Sequence, residues 1–232
     1  MNIVELQTVG STNDHAKLLA KEGAASGTIV WAHEQTAGRG RQGNQWASLP
    51  GNLFMSMILR PRVAVAHIGQ LSFVSAVALA NVLEKIVPPA AQVSLKWPND
   101  VLINRKKAAG ILIETENKMS WAVVGIGVNI TSAPEGAVSL HEIGAGGCTA
   151  GQVLALLAKE MEVLAASWEK TGFDAIRQAW LKRAHKLGGE ISARLPKENL
   201  TGSFQGIDPT GALQLQMPDG TMRTINAGEV FI

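Results

Sequence analysis

The sequence has one cysteine, Cys148, among its 232 residues. A disulfide bond within the chain is therefore excluded, which is typical of a protein from a reducing compartment such as the cytosol. Charged residues make up 17% of the chain and hydrophobic residues 46%, an ordinary balance for a globular protein. The chain is long enough for one large domain, or for one large and one small domain.

Signals for membrane insertion and secretion are also missing. Glycine, asparagine or charged residues interrupt the apolar runs before they reach about 20 residues, the length that a membrane span needs. The N-terminal segment contains the acidic Glu5 and lacks the basic and apolar regions of a signal peptide. We therefore expect a cytoplasmic protein without membrane contact.

Several motifs of catalysis and metal binding are absent from the sequence. The five histidines have no metal-ligand spacing, and there is neither a G-x-S-x-G elbow nor a G-x-x-x-x-G-K-[ST] loop. Residues 38–43 (GRGRQG) match G-x-G-x-x-G, but a poor helix-forming segment follows them. Arg60 and Arg62 stand where a dinucleotide site needs an acidic residue. These features disfavour a zinc enzyme, a serine hydrolase and a nicotinamide or flavin enzyme.

The positive charge is concentrated in one segment. Residues 39–107 carry nine lysines and arginines and two acids, a net charge of +7, whereas the whole chain has +2. Such a bias is consistent with an anionic ligand, and also with scattered, solvated side chains. It leaves a non-catalytic nucleic-acid-binding module as a remote alternative, for which a net charge of +2 is low.

Hydrophobic periodicity predicts a chain of both strands and helices. Strands are expected at 3–8, 28–33, 52–59, 92–97, 101–103, 109–114 and 121–130, and helices at 15–21, 68–86, 150–169 and 173–186. After residues 187–189 (LGG) the pattern changes to short alternating segments separated by turn residues, which predicts a small closed or half-closed β-barrel. We therefore divide the chain into domains of residues 1–186 and 187–232.

The loop after the second predicted strand carries Arg39 and Arg41 among three glycines. Glycine lets backbone N–H groups approach a ligand closely, and the arginine fork fits phosphate or carboxylate oxygens. Trp46 adds a flat apolar face on which a purine can stack. This combination favours a nucleotide site, although a surface loop with solvated arginines has the same composition.

A second group of polar residues lies at strand ends. Lys96 and Asp100 provide a cation and a carboxylate; Asp100 can hold Mg²⁺ through oxygen, and Asn99 can orient a ribose or a phosphate. Lys107, near the start of a buried strand, can reach the same pocket. Asn129 closes an apolar strand and needs a hydrogen-bond partner, either a ligand or backbone.

These blocks, in this order, resemble the biotin–protein ligase family. They are residues 11–13 (STN), 34–41 (EQTAGRGR), 96–100 (KWPND), 107–110 (KAAG), 125–129 (GIGVN) and 228–230 (GEV). The resemblance implies that biotin and ATP form biotinyl-5′-AMP, and that a lysine of a biotin carboxyl carrier protein then takes the biotin. It also implies an α+β fold, in which a class II synthetase-like catalytic domain with a mixed β-sheet and packed helices is followed by an SH3-like β-barrel.

The resemblance also assigns roles to individual residues. Biotin is expected at Ser11, Thr12, Asn13, Gln35, Gly38, Arg39, Gly40, Arg41, Lys107 and Gly110. ATP is expected at Arg39, Arg41, Trp46, Lys96, Asn99, Asp100, Lys107 and Asn129. The catalytic residues are expected to be Lys107, Arg39 and Arg41, and Mg²⁺ is expected at Asp100.

Three further expectations follow from the resemblance. Asn44 departs from the family pattern, in which a basic residue is more common, so the hold of this loop on the adenylate is in question. The first strand begins near Ile3, so we expect no DNA-binding domain before it and no repressor role. An exposed sheet edge would allow a homodimer.

The nearest alternative function is that of a lipoate–protein ligase or octanoyl transferase, which shares the fold and the acylation of lysine.

Overall fold

The computed structural model describes residues 2–116, 120–196 and 198–231. The helices are α1 (Thr12–Lys21), α2 (Leu71–Ile86), α3 (Ala150–Thr171) and α4 (Asp174–Leu181), and short 3₁₀ turns lie at Arg41–Gly43 and Val65–Gln70. The first seven strands are β1 (Ile3–Val9), β2 (Ile29–Gln35), β3 (Leu53–Leu59), β4 (Val93–Lys96), β5 (Asp100–Ile103), β6 (Lys106–Thr115) and β7 (Ala122–Val128). The last five are β8 (Glu190–Arg194), β9 (Asn199–Ile207), β10 (Leu213–Gln216), β11 (Met222–Ile225) and β12 (Glu229–Phe231).

The first seven strands form one mixed sheet in the order β1-β2-β3-β7-β6-β5-β4. The β1–β2 pair is parallel and the other neighbouring pairs are antiparallel. Since side chains alternate along a strand, the register decides which residues share a face. It places Ser56, Gly125 and Leu112 side by side on one face and Met55, Ile126 and Ile111 on the other.

The two faces of this sheet have different coverings. α1 packs on the first face through a small apolar cluster that includes Ala16, Val30 and Ile58. α2 and α3 cover the second face and bury Met55 and Met57 in the main core. The first face, which α1 covers only in part, is therefore the one left for a ligand.

Helix α2 is more apolar than the interrupted pattern suggested. By length and composition alone, the segment 65–86 could span a membrane. However, 72% of its most apolar stretch is buried inside the fold. Leu71, Leu79 and Leu83 are fully buried. The segment thus forms the central core helix, because a sheet face this large needs an apolar helix against it.

The C-terminal strands form a second, antiparallel sheet in the order β11-β10-β9-β8-β12. The prediction of a small all-β unit is confirmed, but the sheet is open. In the part of the chain that the structure describes, the terminal strands β11 and β12 do not pair with each other. They are only four and three residues long, and each pairs with one inner strand.

The second sheet shares its core with the first part of the chain. The ring of Trp180 lies 5.5 Å from that of Phe73 and 6.4 Å from that of Phe204. The indole N–H of Trp97 donates to the carbonyl oxygen of Gly211 at 3.0 Å. One apolar cluster therefore extends across residues 186 and 187, and the domain division at that point stays a prediction.

Candidate functional site

A cleft of about 870 Å³ opens on the first face of the large sheet. Its walls are the start of α1, the glycine-rich loop between β2 and β3, the β4–β5 turn and β12. Most of the site residues predicted from the sequence line it: Ser11, Thr12, Asn13, Gln35, Arg39, Gly40, Arg41, Trp46, Lys96, Asn99, Asp100, Lys107 and Gly110. The fold thus brings together blocks that are up to about 100 residues apart in the sequence.

Uncharged polar groups form one end of the cleft, which we call the polar end (Ser11, Thr12, Asn13 and Gln35, with the buried Ser56 hydrogen-bonded to them). The backbone N–H and the hydroxyl of Thr12 donate to Gln35 Oε1 at 2.9 and 3.1 Å. Ser56, fully buried in β3, donates to Asn13 Oδ1 at 2.6 Å and lies 2.8 Å from the Thr12 hydroxyl. These hydrogen bonds fix the orientation of the Thr12, Asn13 and Gln35 side chains.

Gly125 makes the room for this network, because a side chain there would overlap the amide of Asn13. The sequence reasoning missed Ser56. Its signal was available, since Ser56 is the polar residue within the apolar strand 53–59 (LFMSMIL).

A group of charged residues adjoins the polar end. Arg39 donates to both carboxylate oxygens of Glu114, at 3.2 and 2.8 Å, and to Asp14 at 2.7 Å. Lys17 lies 3.0 Å from Glu114 and 2.8 Å from Asp14. Burial acts to raise the pKa of Glu114, but hydrogen bonds from Asn13, Lys17 and Arg39 outweigh it and lower that pKa below its ordinary value.

The other end of the cleft is cationic and centres on Asp100. Lys96 Nζ lies 3.2 Å from one Asp100 oxygen and Lys107 Nζ 2.7 Å from the other, Oδ1. The Asp100 carboxylate is thus paired with one lysine at each of its two oxygens. The cations here are held close together but keep donor capacity for an anion.

Trp46 lies flat against the floor of the cleft. Gly110 on β6 and Gly127 on β7 face each other in the register, and a side chain on either would overlap the indole. Lys107 Nζ lies 5.5 Å from the centre of the ring. The indole N–H is buried and has no hydrogen-bond partner in the described part of the chain. The paired glycines thus form a flat slot, in which the Trp46 indole lies.

Arg41 links the loop to the C-terminal sheet. Its Nη1 donates to Asn99 Oδ1 and to the Gly228 carbonyl oxygen, both at 3.3 Å. Burial lowers the pKa of Arg41, and the charges of Asp100 and Glu229 oppose that shift. Glu229 and Val230 line the cleft directly, so β12 forms part of the site.

Two predicted site residues lie outside the lining of the cleft. A side chain on Gly38 would overlap Ser48 and the Trp46 backbone, and the Gly38 carbonyl accepts from the Trp46 N–H at 3.0 Å. Asn129 is 2% exposed, and its amide lies at 3.4 Å from the carbonyl oxygens of Lys107 and Val138. Of the two partners that the sequence left open for Asn129, the structure shows backbone.

Asn44 and Cys148 also stood out in the sequence, and neither has a central position in the site. Asn44 lines the cleft, and its carbonyl oxygen accepts from the Gly40 N–H at 2.7 Å. Cys148 is partly buried outside the cleft, where burial raises the pKa of its thiol, which makes a reactive thiolate less available.

Comparison with known proteins gives one consistent family. Residues 5–130 match the Biotin/lipoate A/B protein ligase family, and residues 186–232 match the Biotin protein ligase C terminal domain. A biotin–[acetyl-CoA-carboxylase] ligase of Paracoccus denitrificans is 42% identical over 238 residues, covering 97% of this chain and 98% of the relative. A bifunctional ligase/repressor of Escherichia coli is 31% identical over 243 residues, covering 100% of this chain and 74% of the relative.

Solved structures agree with the sequence relatives. A biotin protein ligase from Aquifex aeolicus in complex with biotin and ATP superposes with a TM-score of 0.85 at 30% identity, covering 99% of this chain and 97% of that one. A Leishmania major biotin protein ligase in complex with biotinyl-5-AMP superposes with a TM-score of 0.68 at 26% identity, covering 97% and 99%. The similarity therefore extends over both sheets.

Proposed function

The chain belongs to the Biotin/lipoate A/B protein ligase family and acts as an ATP-dependent biotin–protein ligase, and on that premise we propose how its cleft divides the reaction. The observation that supports this function best is that one cleft has two chemically different ends. An uncharged polar end adjoins a cationic end, and a flat slot lies beside the latter. Biotin has an uncharged ureido ring and an anionic carboxylate, and ATP supplies phosphates and a purine.

The polar end suits the ureido ring of biotin. That ring offers two N–H donors and one carbonyl acceptor, which hydroxyl and amide side chains can satisfy together. Thr12, Asn13 and Gln35 are fixed by hydrogen bonds to one another and to Ser56. A fixed set of donors and acceptors discriminates strongly against an aliphatic acid that leaves them unpaired. This favours biotin over lipoate or octanoate.

The cationic end suits the phosphates. Arg41, Lys96 and Lys107 surround the region beside Asp100, where the biotin carboxylate must meet the α-phosphorus of ATP. A carboxylate oxygen attacks that phosphorus, and pyrophosphate leaves. Negative charge grows on the phosphoryl oxygens during this step, so positioned cations lower its barrier. The adenine would stack with Trp46 beside the glycine floor, and Asn99 would contact the nucleotide.

Asp100 is the residue that would hold Mg²⁺. Its side chain is 10% exposed and lies between Lys96 and Lys107, whose contacts bound Mg²⁺ would share or replace, and Mg²⁺ with bound phosphates requires few protein carboxylates. When bound, the ion would neutralise charge on the leaving pyrophosphate. Within the described residues no group of three or more histidine, cysteine, aspartate or glutamate side chains forms a metal cluster, so the phosphates would supply other ligands.

In the second step the amine of a carrier lysine attacks the biotinyl carbonyl and AMP leaves. The relative from Paracoccus denitrificans carries acetyl-CoA carboxylase in its name, so we propose the biotin carboxyl carrier protein of such a carboxylase as partner. Four expectations stay predictions: a homodimer through an exposed sheet edge, a cytoplasmic location, and no contact with DNA or with membranes.

Mass spectrometry of a carrier domain distinguishes the acyl substrates. The protein is incubated with ATP, Mg²⁺, the carrier and either biotin, lipoic acid or octanoic acid. We expect the mass of one biotinyl group on one lysine and little product from the other acids. Preferential lipoylation or octanoylation would instead assign the polar end to an aliphatic acid.

A further inference from the structure

Glu114 lies just beyond the cleft in a position that its strand determines. Residues 110, 112 and 114 of β6 point to the same face of the sheet, and Gly110 and Leu112 line the cleft. Glu114 continues this row to the point where α1 meets the glycine-rich loop. Its side chain is 21% exposed, and it is not part of the cleft lining.

The carboxylate of Glu114 joins three segments of the chain. From α1 it accepts hydrogen bonds from Asn13 Nδ2 at 2.8 Å and from Lys17 Nζ at 3.0 Å. From the loop it accepts both prongs of the Arg39 guanidinium. Two-pronged arginine–carboxylate pairs are the most directional of protein ion pairs. The loop is thereby tied to β6 and α1 at once.

The opposite side of the loop is tied separately. Arg41 donates to Asn99 on the β4–β5 turn and to Gly228 before β12. Only Gly40 lies between these two arginines, and Gln42 and Gly43, directly after Arg41, both have positive φ. Because glycine can adopt many backbone conformations, such a segment does not hold one conformation without outside contacts. Its position over the cleft is therefore supported by the two arginines and their partners, in addition to the packing of Trp46 on the glycines of β6 and β7.

We propose that Glu114 is a positioning residue that fastens the glycine-rich loop over the cleft through Arg39, and so sets how long the enzyme retains its adenylate. This inference rests on the proposed function and concerns the same site. The mixed anhydride reacts with water and with any exposed amine, so the time for which the loop stays closed determines whether the carrier lysine receives the biotin.

The test compares Glu114→Gln with Glu5→Gln. Glutamine keeps the size of the side chain and an acceptor for Asn13 but loses the charge that binds Arg39. Glu5 undergoes the same chemical change at an exposed contact with His33 on the β1 edge. Asp14→Asn weakens the outer contact of Arg39, and that of Lys17, at a side chain that is 54% exposed, and leaves the pair of Arg39 with Glu114 in place.

Two measurements are made on each folded variant. The first is the release of preformed biotinyl-5′-AMP alongside biotin-dependent ATP–pyrophosphate exchange. For Glu114→Gln we expect release to become faster by about threefold to tenfold, because one partly exposed, charge-assisted pair is lost, with exchange little changed. Asp14→Asn should show a smaller acceleration and Glu5→Gln none. The second is trypsin cleavage after Arg39 without ligand, which should become faster in the same order.

Several outcomes would overturn the inference. One is unchanged release and unchanged cleavage in Glu114→Gln; another is an equal change in Glu5→Gln. A fall in exchange as large as the change in release would mean that Glu114 serves the chemistry itself. If the unaltered protein forms no adenylate, the proposed function fails. The cleavage rates alone then show whether Glu114 fastens the loop. If Glu114→Gln does not fold, Asp14→Asn decides it.

Discussion

Lys107 owes its direction to one extra residue in strand β6. Val101 pairs with Ala109 and Leu102 with Lys107, so Ala108 is left over as a bulge. Bulges turn the neighbouring side chains and occur often beside active sites. The backbone N–H of Asn129 donates to the Ala108 carbonyl oxygen at 2.8 Å, which holds the bulge in place. A residue outside the cleft thus supports the orientation of a residue inside it.

Replacement of Lys107 tests its proposed role at the reacting carboxyl and phosphate groups. Lys107→Ala should slow adenylate formation by about a hundredfold, the effect of losing one charged donor in the transition state. Biotin-dependent pyrophosphate exchange measures the rate, and Lys106→Ala is the matched control because Lys106 is exposed and outside the cleft lining. Near-normal exchange in Lys107→Ala would remove Lys107 from the mechanism.

Gly127 tests the flat slot. Gly127→Ala should displace the Trp46 indole, because the added methyl group would overlap the ring. We expect the KM for ATP to rise by about tenfold, equivalent to about 1.4 kcal/mol of lost stacking, with little change in the KM for biotin. Gly146→Ala is the control, since nothing lies within 4 Å of the added methyl there. An unchanged KM for ATP would place the purine elsewhere.

Apart from Ser56, the sequence identified the residues whose polarity is unusual for their strand position, but not those whose role depends on the strand register. Lys96, Asp100 and Lys107 stood out at strand ends. Glu114 did not, because nothing local shows that it faces α1 and the loop. That fact needs the pairing of β6 with β7 and the packing of α1, which are long-range contacts.

Helix α3 shows local sequence and structure in agreement. It begins with a capping box, in which the Thr149 hydroxyl accepts from the Gln152 N–H at 3.3 Å and the Gln152 side chain accepts from the Thr149 N–H at 2.9 Å. Helix α4 shows the opposite. The pattern predicted a helix from 173 to 186, but α4 ends at Leu181, because Arg183 and His185 make backbone hydrogen bonds to Leu95 on β4. Tertiary contacts overrode the helical pattern there.

The cap of α3 gives a prediction on stability without an effect on catalysis. Thr149→Ala should lower the free energy of unfolding by about 1 kcal/mol, the usual cost of losing a side-chain N-cap. Urea denaturation measures this loss. Pyrophosphate exchange should be unchanged, because Thr149 lies outside the cleft. A loss of exchange without a loss of stability would contradict this separation of cap and site.

For the whole molecule, the cleft is completed only by joining its two sheets. Arg41 reaches the carbonyl of Gly228, and β12 lines the cleft. The sequence predicted the small all-β unit, and residues 228–230 stood out in it as a block that resembles the family. It did not predict that the sheet stays open, because closure depends on which short edge strands pair. Because β12 lines the cleft, we expect the C-terminal sheet to contribute to adenylate formation and not only to binding of the carrier protein.

The continuous core predicts cooperative unfolding. Phe204 on β9 is 2% exposed and packs against Trp180 of α4. Phe204→Ala should lower the free energy of unfolding by about 3–5 kcal/mol. Tryptophan fluorescence, which reports on residues before 187, and far-ultraviolet circular dichroism should shift together. Separate transitions for the two signals would show instead that residues 187–232 unfold independently.

The central claim is that one cleft binds biotin and ATP together and joins them. Its most direct test is the exchange of labelled pyrophosphate into ATP by the purified protein, with and without biotin. We predict exchange that requires both biotin and Mg²⁺, that lipoate and octanoate do not replace, and that Lys107→Ala reduces by about a hundredfold. Exchange independent of biotin, or no exchange by the folded protein with biotin, ATP and Mg²⁺ present, would contradict the account.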